Sequence, residues 1–497
     1  MTTGDGSGSP RVIVAATGAA NLASVMACLR RAGARAELAT TADRILAADF
    51  AVLPGVGAFG PAMERLAASG LDRAFAQRVR NGGKTLGICL GMQLFCASSE
   101  EAPGLRGIGV VDAQVTRFPE GLPLPQLGWN RVVPAAGQGA GMVGAGTTGL
   151  EAGWAYFANS YRVEKAPAGF TAWTSSYGGG FIAALEGSEP GKEGLLLCQF
   201  HPELSGPWGL SLIRRWLGLE ARLPRGSGAA PGSTDNDAAG TALRIIPCLD
   251  LKNGRVVKGT RFEGLVDSGD PLDLALRYEA EGADELAMLD ITATVEGKAS
   301  SLEALRRVRS RLGIPIVMGG GLRREEDAVA MIEAGADRVA INSAAVADPD
   351  IIDRLARRFG VQCIVLAVDA RRVPGPDDIN WDLVVEAGRR STGLDPVSWA
   401  AEGARRGAGE ILLTSIDRDG TGSGYDLELI DRVSRAARIP VVASGGAAGG
   451  QEGMLHFEEA ARAGARAILA AGAFHRGELA IGDLKKHLSA HKQGVRS

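Results

Sequence analysis

The chain has 497 residues, enough for two or three compact domains, and its 45% hydrophobic and 22% charged content excludes a disordered protein. Its 54 basic and 57 acidic residues leave a net charge of −3, which gives no electrostatic footprint for nucleic acid or an anionic membrane. There is no apolar run of ~20 residues and no signal-peptide pattern, and the cysteines show no Cys-x-x-Cys spacing. A cytoplasmic protein with no membrane span, disulfide framework, metal site or cofactor is expected.

In chain order, residues 1–10 are small and polar and read as a disordered start. Residues 11–219 read as one domain. RVIVAA (11–16), FAVLPG (50–55) and KTLGIC (84–89) have the continuous apolar character of buried parallel strands. Amphipathic stretches at 21–33 and 61–82 read as helices. The closely spaced runs WAYFANSY, TAWTSS, FIAALEG and LLLCQF read as antiparallel additions. The expected fold is an open α/β sheet with helices on both faces, carrying a glycine-rich surface loop at 135–149. Residues 220–243, with the run RGSGAAPGSTDNDAAGT inside them, read as a linker.

From residue 244 to 497 the pattern changes. Eight short apolar runs, IIPCL, LAML, PIVM, RVAIN, CIVLAV, ILLTS, PVVA and AILAA, are mostly separated by helical stretches, which predicts a closed (β/α)8 barrel. GADE (282–285) returns as GAGE (407–410), and IPIVMGGG (314–321) returns as IPVVASGG (439–446), both at an offset of 125. The barrel is therefore two similar halves.

Gly87-Ile88-Cys89-Leu90-Gly91 follows a strand and opens a helix. Small residues two places either side of a nucleophile permit a strained elbow that exposes the sulfur. The helix N-terminus favours a thiolate, and the Leu90 N–H faces a developing oxyanion. A thiol needs a base. His201, followed by Pro202-Glu203, is the only histidine before residue 456. Glu203 is close enough in the chain to orient the imidazole. Pro54-Gly55-Val56-Gly57 ends another strand and offers a second peptide N–H. GICLGMQ with HPE resembles the class I glutamine amidotransferases. PGVGAF, LGWN and YFANSY narrow the resemblance to the glutaminase subunit of imidazole glycerol phosphate synthases. The resemblance implies that Gln93 helps hold glutamine and that Val56 and Gly57 complete the oxyanion hole. The chain departs from the family pattern in its first loop (16–21) and in having Asn159 where histidine is usual.

In a barrel the reacting groups sit at the C-terminal ends of the strands. Those ends carry Asp250 and Asp369 on strands one and five, which face each other across the mouth, and no histidine. Acid–base work falls to these carboxylates. The four barrel histidines are late and read as solvated. Gly320-Gly321 and Gly445-Gly446 follow strands three and seven, and Asn342 and Ala471-Gly472 follow strands four and eight. Each half thus offers backbone N–H groups to one phosphate, which suits an elongated bisphosphate. IIPCLDLKNGRVVKG, LDITAT, AVDARRV and LTSIDRDGTGSGYD resemble the cyclase subunit of the same synthases. That resemblance implies glutamine and PRFAR (phosphoribulosyl-formimino-AICAR-phosphate) as substrates, Asp250 and Asp369 as the acid–base pair and Lys258 in a mobile loop. It places Asp419, Gly420, Thr421 and Ser444 at the substrate. It also implies an ammonia gate of Arg244, Glu285, Arg338 and Glu410 at the barrel's far end, with arginine at 338 where many relatives have lysine. The alternative is a histidine-pathway phosphoribosyl isomerase-like barrel fused to a glutaminase, in which the glutaminase has no role. A non-enzymatic scaffold is the third reading, opposed by the intact Cys89, His201 and Glu203.

Overall fold

The computed structural model describes residues 9–16, 21–135, 150–219, 240–260, 263–291, 295–374 and 380–496, without the side chains of 258–260, 263–266 and 295–298. Residues 1–8 of the expected disordered start, most of the first loop and of the glycine-rich loop, and linker residues 220–239 lie outside the described residues.

The N-terminal unit is built on a nine-stranded sheet. Strands Arg35–Ala39, Arg11–Ala15, Phe50–Leu53, Lys84–Ile88 and Leu195–Cys198 lie side by side and parallel. Gly180–Gly187, Phe170–Ser176, Gln126–Pro134 and Gly153–Asn159 continue the sheet antiparallel. LLLCQF is thus corrected. Its strand is antiparallel to one neighbour but pairs in parallel with Lys84–Ile88, Leu197 opposite Gly87. An apolar run of four has no alternation that would reveal the direction of its neighbour. The stretch 61–82 forms two helices, Phe59–Ser69 and Leu71–Arg80, because Gly70 between them takes φ +70°. Two apolar clusters pack against this sheet, one around Val14, Phe157 and Phe200 and the other around Ile13, Phe75 and Leu197.

The second unit is the expected barrel. Strands beginning at Arg244, Leu286, Ile316, Arg338, Ile364, Glu410, Val441 and Ala467 follow one another in space, all parallel, and the last pairs with the first. The two half-barrel motifs become strands three and seven, Ile316–Gly319 and Val441–Ser444.

The units pack tightly. Leu127, Trp129, Tyr156, Ala158 and Leu204 belong to the same apolar cluster as the barrel's outer core. The LGWN and YFANSY runs therefore cover the end of the barrel where its strands start. The last linker residues are docked: Ala242 N–H donates to the Trp129 carbonyl at 2.9 Å, and Leu243 N–H donates to the Gly494 carbonyl at 2.6 Å.

Candidate active sites

Cys89 stands between strand Lys84–Ile88 and helix Leu90–Leu94 with φ +52° and ψ −110°, a strained conformation for a non-glycine residue. The flanking glycines are required by contact. A Cβ on Gly91 would lie 1.9 Å from the Leu53 carbonyl oxygen, and one on Gly87 would lie 2.6 Å from Leu197 Cδ2. The elbow thus sits against the backbone of one neighbouring strand and a leucine side chain of the other, which leaves no room for a Cβ at either glycine.

His201 follows the adjacent parallel strand, so its imidazole arrives beside the sulfur. Its Nδ1 lies 2.8 Å from Glu203 Oε1. All three triad members are buried. Burial pushes the His201 imidazole down, but the charges and hydrogen bonds of Cys89 and Glu203 outweigh it and hold the pKa well above its ordinary value. A protonated imidazole is therefore favoured at His201, beside the thiol. Sequence reasoning missed Gln199. This fully buried side chain donates to Cys89 Sγ at 3.7 Å and accepts from Gln93 Nε2 at 3.0 Å. Gln93 also donates to the Tyr161 carbonyl at 3.2 Å. The amide expected to hold glutamine is thus engaged within the protein. The place of Gln199, two residues before His201 at the end of a strand, was the available signal. Asn159 donates to the Tyr161 carbonyl at 2.9 Å, and its buried Oδ1 has no hydrogen-bond partner among the described residues.

The Pro54–Gly57 loop lies directly over the elbow, since a Cβ on Gly55 would be 2.8 Å from Gly91 N. Gly57 takes φ +99°. The loop has two anchors. Val56 packs against the barrel's apolar cluster, and the Phe59 N–H donates to Glu101 Oε2 at 2.9 Å. Burial raises the pKa of that carboxyl, and its bond to Phe59 opposes the rise. Glu101 was also missed; one acid in an exposed-looking Ser-Ser-Glu-Glu run carries no pattern.

A small cavity spans the interface, lined by Gly55, Val56, Tyr156 and His201 on one side and by Asp337, Arg338 and Gln362 on the other. Beyond it lies the charged ring. Arg244 Nη1 pairs with Glu285 Oε2 at 2.7 Å and Arg244 also pairs with Glu410, while Arg338 pairs with both glutamates. All four residues are buried. Burial raises the Glu410 carboxyl, but the two guanidiniums dominate and hold it below its ordinary value. With arginine at 338, two planar forks each grip both carboxylates, an arrangement an ammonium cannot copy.

Strand residues alternate faces, so Arg244, Ile246, Cys248 and Asp250 all point into the barrel. Ile246, Cys248, Val317, Val365, Leu412 and Val442 form an apolar interior cluster. Six residues at ~3.3 Å each place the ring and Asp250 roughly 20 Å apart. At the mouth, Cys248 Sγ donates to Asp250 Oδ1 at 3.8 Å. Burial pushes the Asp369 carboxyl up to about 7, with Asp419 adding to the rise and hydrogen bonds from Thr414 and Asn342 opposing it. Thr414 was not foreseen. Asn342 Nδ2 donates to Asp369 Oδ2 at 2.8 Å, so its side chain serves the carboxylate while its backbone begins the turn after strand four.

The half-barrel symmetry extends to the turns. Gly320 and Gly445 take φ +88° and +87°. A Cβ would meet the Asp290 carbonyl at 1.9 Å in one and the Ser415 carbonyl at 2.7 Å in the other. Gly321 and Gly446 also have positive φ. Asn342 and Ala471 precede the short helices Ser343–Ala347 and Gly472–His475 in similar conformations, φ −131° and −120°. Ser444 ends strand seven opposite Thr414, partly exposed at the mouth. Asp419, Gly420 and Thr421 form the turn after strand six, where the Thr421 hydroxyl donates to the Arg418 carbonyl at 2.7 Å. The Lys258 side chain lies outside the described residues. The barrel histidines are not uniformly solvated: His456 is buried, and His475 Nδ1 lies 2.5 Å from the Tyr278 hydroxyl.

A thiol–imidazole–carboxylate elbow stacked on a half-symmetric barrel defines the class, a glutamine amidotransferase unit joined to a barrel synthase. Residues 17–217 match the family model described as glutamine amidotransferase class-I, and residues 244–480 match that described as histidine biosynthesis protein. The imidazole glycerol phosphate synthase subunit HisF of Corynebacterium diphtheriae is 50% identical over 259 residues, covering 52% of this chain and 99% of that protein. The subunit of the same name from Mycobacterium tuberculosis (strain ATCC 25177 / H37Ra) is 52% identical over 262 residues, covering 52% of this chain and 97% of its own length. The chain belongs to the imidazole glycerol phosphate synthase family of histidine biosynthesis, with glutaminase and cyclase units fused. No helix among the described residues is long and apolar enough to cross a membrane.

Proposed function

We propose that residues 11–219 hydrolyse glutamine, that residues 244–497 convert PRFAR to imidazole glycerol phosphate and AICAR, and that ammonia passes between them inside the molecule. Residues 220–243 join the two units, which work in the cytoplasm. Cys89 attacks the glutamine amide as His201 takes its proton, with Glu203 holding the imidazole. The N–H groups of Leu90 and of the Val56–Gly57 segment receive the oxyanion. His201 returns its proton to the departing ammonia, and water releases glutamate from the thioester. Ammonia then crosses the interface cavity and the ring of Arg244, Glu285, Arg338 and Glu410, and enters an interior that holds a neutral amine and excludes ions.

At the mouth, Asp369 and Asp250 divide proton transfer. A carboxyl near 7 carries or gives up a proton at neutral pH, which suits it to both directions of transfer. The turns at Gly320–Gly321 and Gly445–Gly446, with Ser444, Gly472 and the turn of Asp419 to Thr421, hold the two phosphates, and Lys258 closes over the substrate. The observation that carries this reading is the alignment of the triad, the cavity, the ring and the apolar interior on one path. The test follows glutamate release and PRFAR consumption together in the parent and in Cys89→Ala. The variant should lose glutamine-dependent synthesis and keep synthesis from ammonium salts at raised pH. Loss of both in a folded variant overturns the division of labour.

A further inference from the structure

We propose that Glu458, His487 and His491 form a binding site for one borderline divalent transition-metal ion, of which Zn²⁺ is the type. The site lies on the outside of the barrel and would clamp the last helix to its neighbour. Histidines near the C-terminus read as solvated in the sequence, but the fold gathers two of them around a buried acid. His487 sits in helix Ile481–Ala490 and His491 follows one turn later as its C-cap, so both rings leave the same face. Glu458 comes from helix Gly450–Arg462 and is only 4% exposed. One ligand atom from each of the three falls within 4.8 Å of the others.

The finer geometry suits coordination. His487 Nε2 and Glu458 Oε2 are 3.2 Å apart. Ligands at ~2.0–2.1 Å from a tetrahedral zinc have edges of roughly 3.3 Å. The two imidazole rings lie side by side, centroids 4.2 Å apart. His491 Nδ1 is 2.8 Å from the His487 carbonyl oxygen. A carbonyl only accepts, so Nδ1 carries the proton and the Nε2 lone pair is free for a metal. Arg462 pairs with Glu458 Oε1 and leaves Oε2 to the site. Two imidazole nitrogens and one carboxylate oxygen select borderline cations over Mg²⁺ or Ca²⁺. Water completes the coordination. On binding, a neutral His487 ring shifts its one proton from Nε2 to Nδ1, and the metal takes the place of the Nε2–H that faces Glu458. The clamp is placed to matter. Three residues after His491, the Gly494 carbonyl accepts from Leu243 N–H, and Arg496 Nε donates to Asp284 Oδ1 at 2.8 Å, beside the ring residue Glu285.

The test uses the full chain, untagged and stripped with chelator, in a Cys89→Ala background that removes the competing active-site thiol. Zn²⁺ is titrated calorimetrically in buffers of different protonation enthalpy, and Co²⁺ is followed by its visible absorption. The parent should bind one equivalent that His491→Ala weakens by at least about tenfold, the floor set by losses of outer-shell partners alone. Zn²⁺ should raise the parent's melting temperature, and raise that of His491→Ala less at the same concentration. His491 is exposed, so its loss spares the apo fold, and His487→Gln should repeat the result. Equal binding by parent and His491→Ala, or no uptake by the parent, overturns the site and leaves Glu458–His487 as a plain hydrogen-bonded pair.

Discussion

Replacing Asp369 by asparagine should remove cyclase activity and stabilise the protein at alkaline pH. The carboxyl rises from an ordinary 3.8 to about 7, chiefly through burial. A raised carboxyl pKa means that the folded state binds the proton more tightly than the unfolded chain. Between those two values the unfolded chain has lost the proton and the folded protein keeps it, so stability falls as pH rises through this window. At ~1.4 kcal/mol per tenfold, the full cost above neutral pH is roughly 4 kcal/mol. Asp369 is partly exposed at the mouth, and solvent screening cuts the figure to about 1–3 kcal/mol. Asparagine keeps the shape and still accepts from Asn342, but carries no charge to desolvate. Denaturant unfolding of the barrel at pH 8 should show Asp369→Asn more stable than the parent by that amount. The gap should close towards pH 4, where the native carboxyl is already neutral. PRFAR turnover with ammonium salts should fall by about 10²–10⁴-fold. An Asp369→Asn protein that turns over PRFAR at the parent rate, or that is less stable than the parent at pH 8, refutes the reasoning.

Gly91→Ala places a Cβ 1.9 Å from the Leu53 carbonyl, so the elbow must move. Stability should drop by about 1–3 kcal/mol, and glutamate release should be lost while ammonium-dependent synthesis persists. Arg338→Ala leaves Glu285 and Glu410 with Arg244 alone. Breaking this buried network should cost about 3–5 kcal/mol in unfolding experiments, and the ratio of glutamate released to PRFAR consumed should rise above one as ammonia escapes. Arg338→Lys should lose less stability than Arg338→Ala, since one charge remains but the bidentate grip does not.

Patterns local in the chain were legible without coordinates. The Gly87–Gly91 elbow, the eight apolar runs and the repeat at an offset of 125 each rest on short-range spacing, and strand order in a repeated β/α unit follows from connectivity. Asp250 and Asp369 at opposed strand ends followed from counting strands. Contacts between distant segments were decided by tertiary structure. Gln199 reaches Cys89 because Leu195–Cys198 pairs in parallel with Lys84–Ile88, a pairing no apolar run announces. Asn342 turns to Asp369 because strands four and five are neighbours at the mouth. Closure of the ring by four ion pairs depends on side-chain reach across the barrel. His487 meets Glu458 only when two helices pack. Composition and period specify which face of an element is buried. What that face meets is set by the packing of whole elements, which depends on shape and is not written in any single segment.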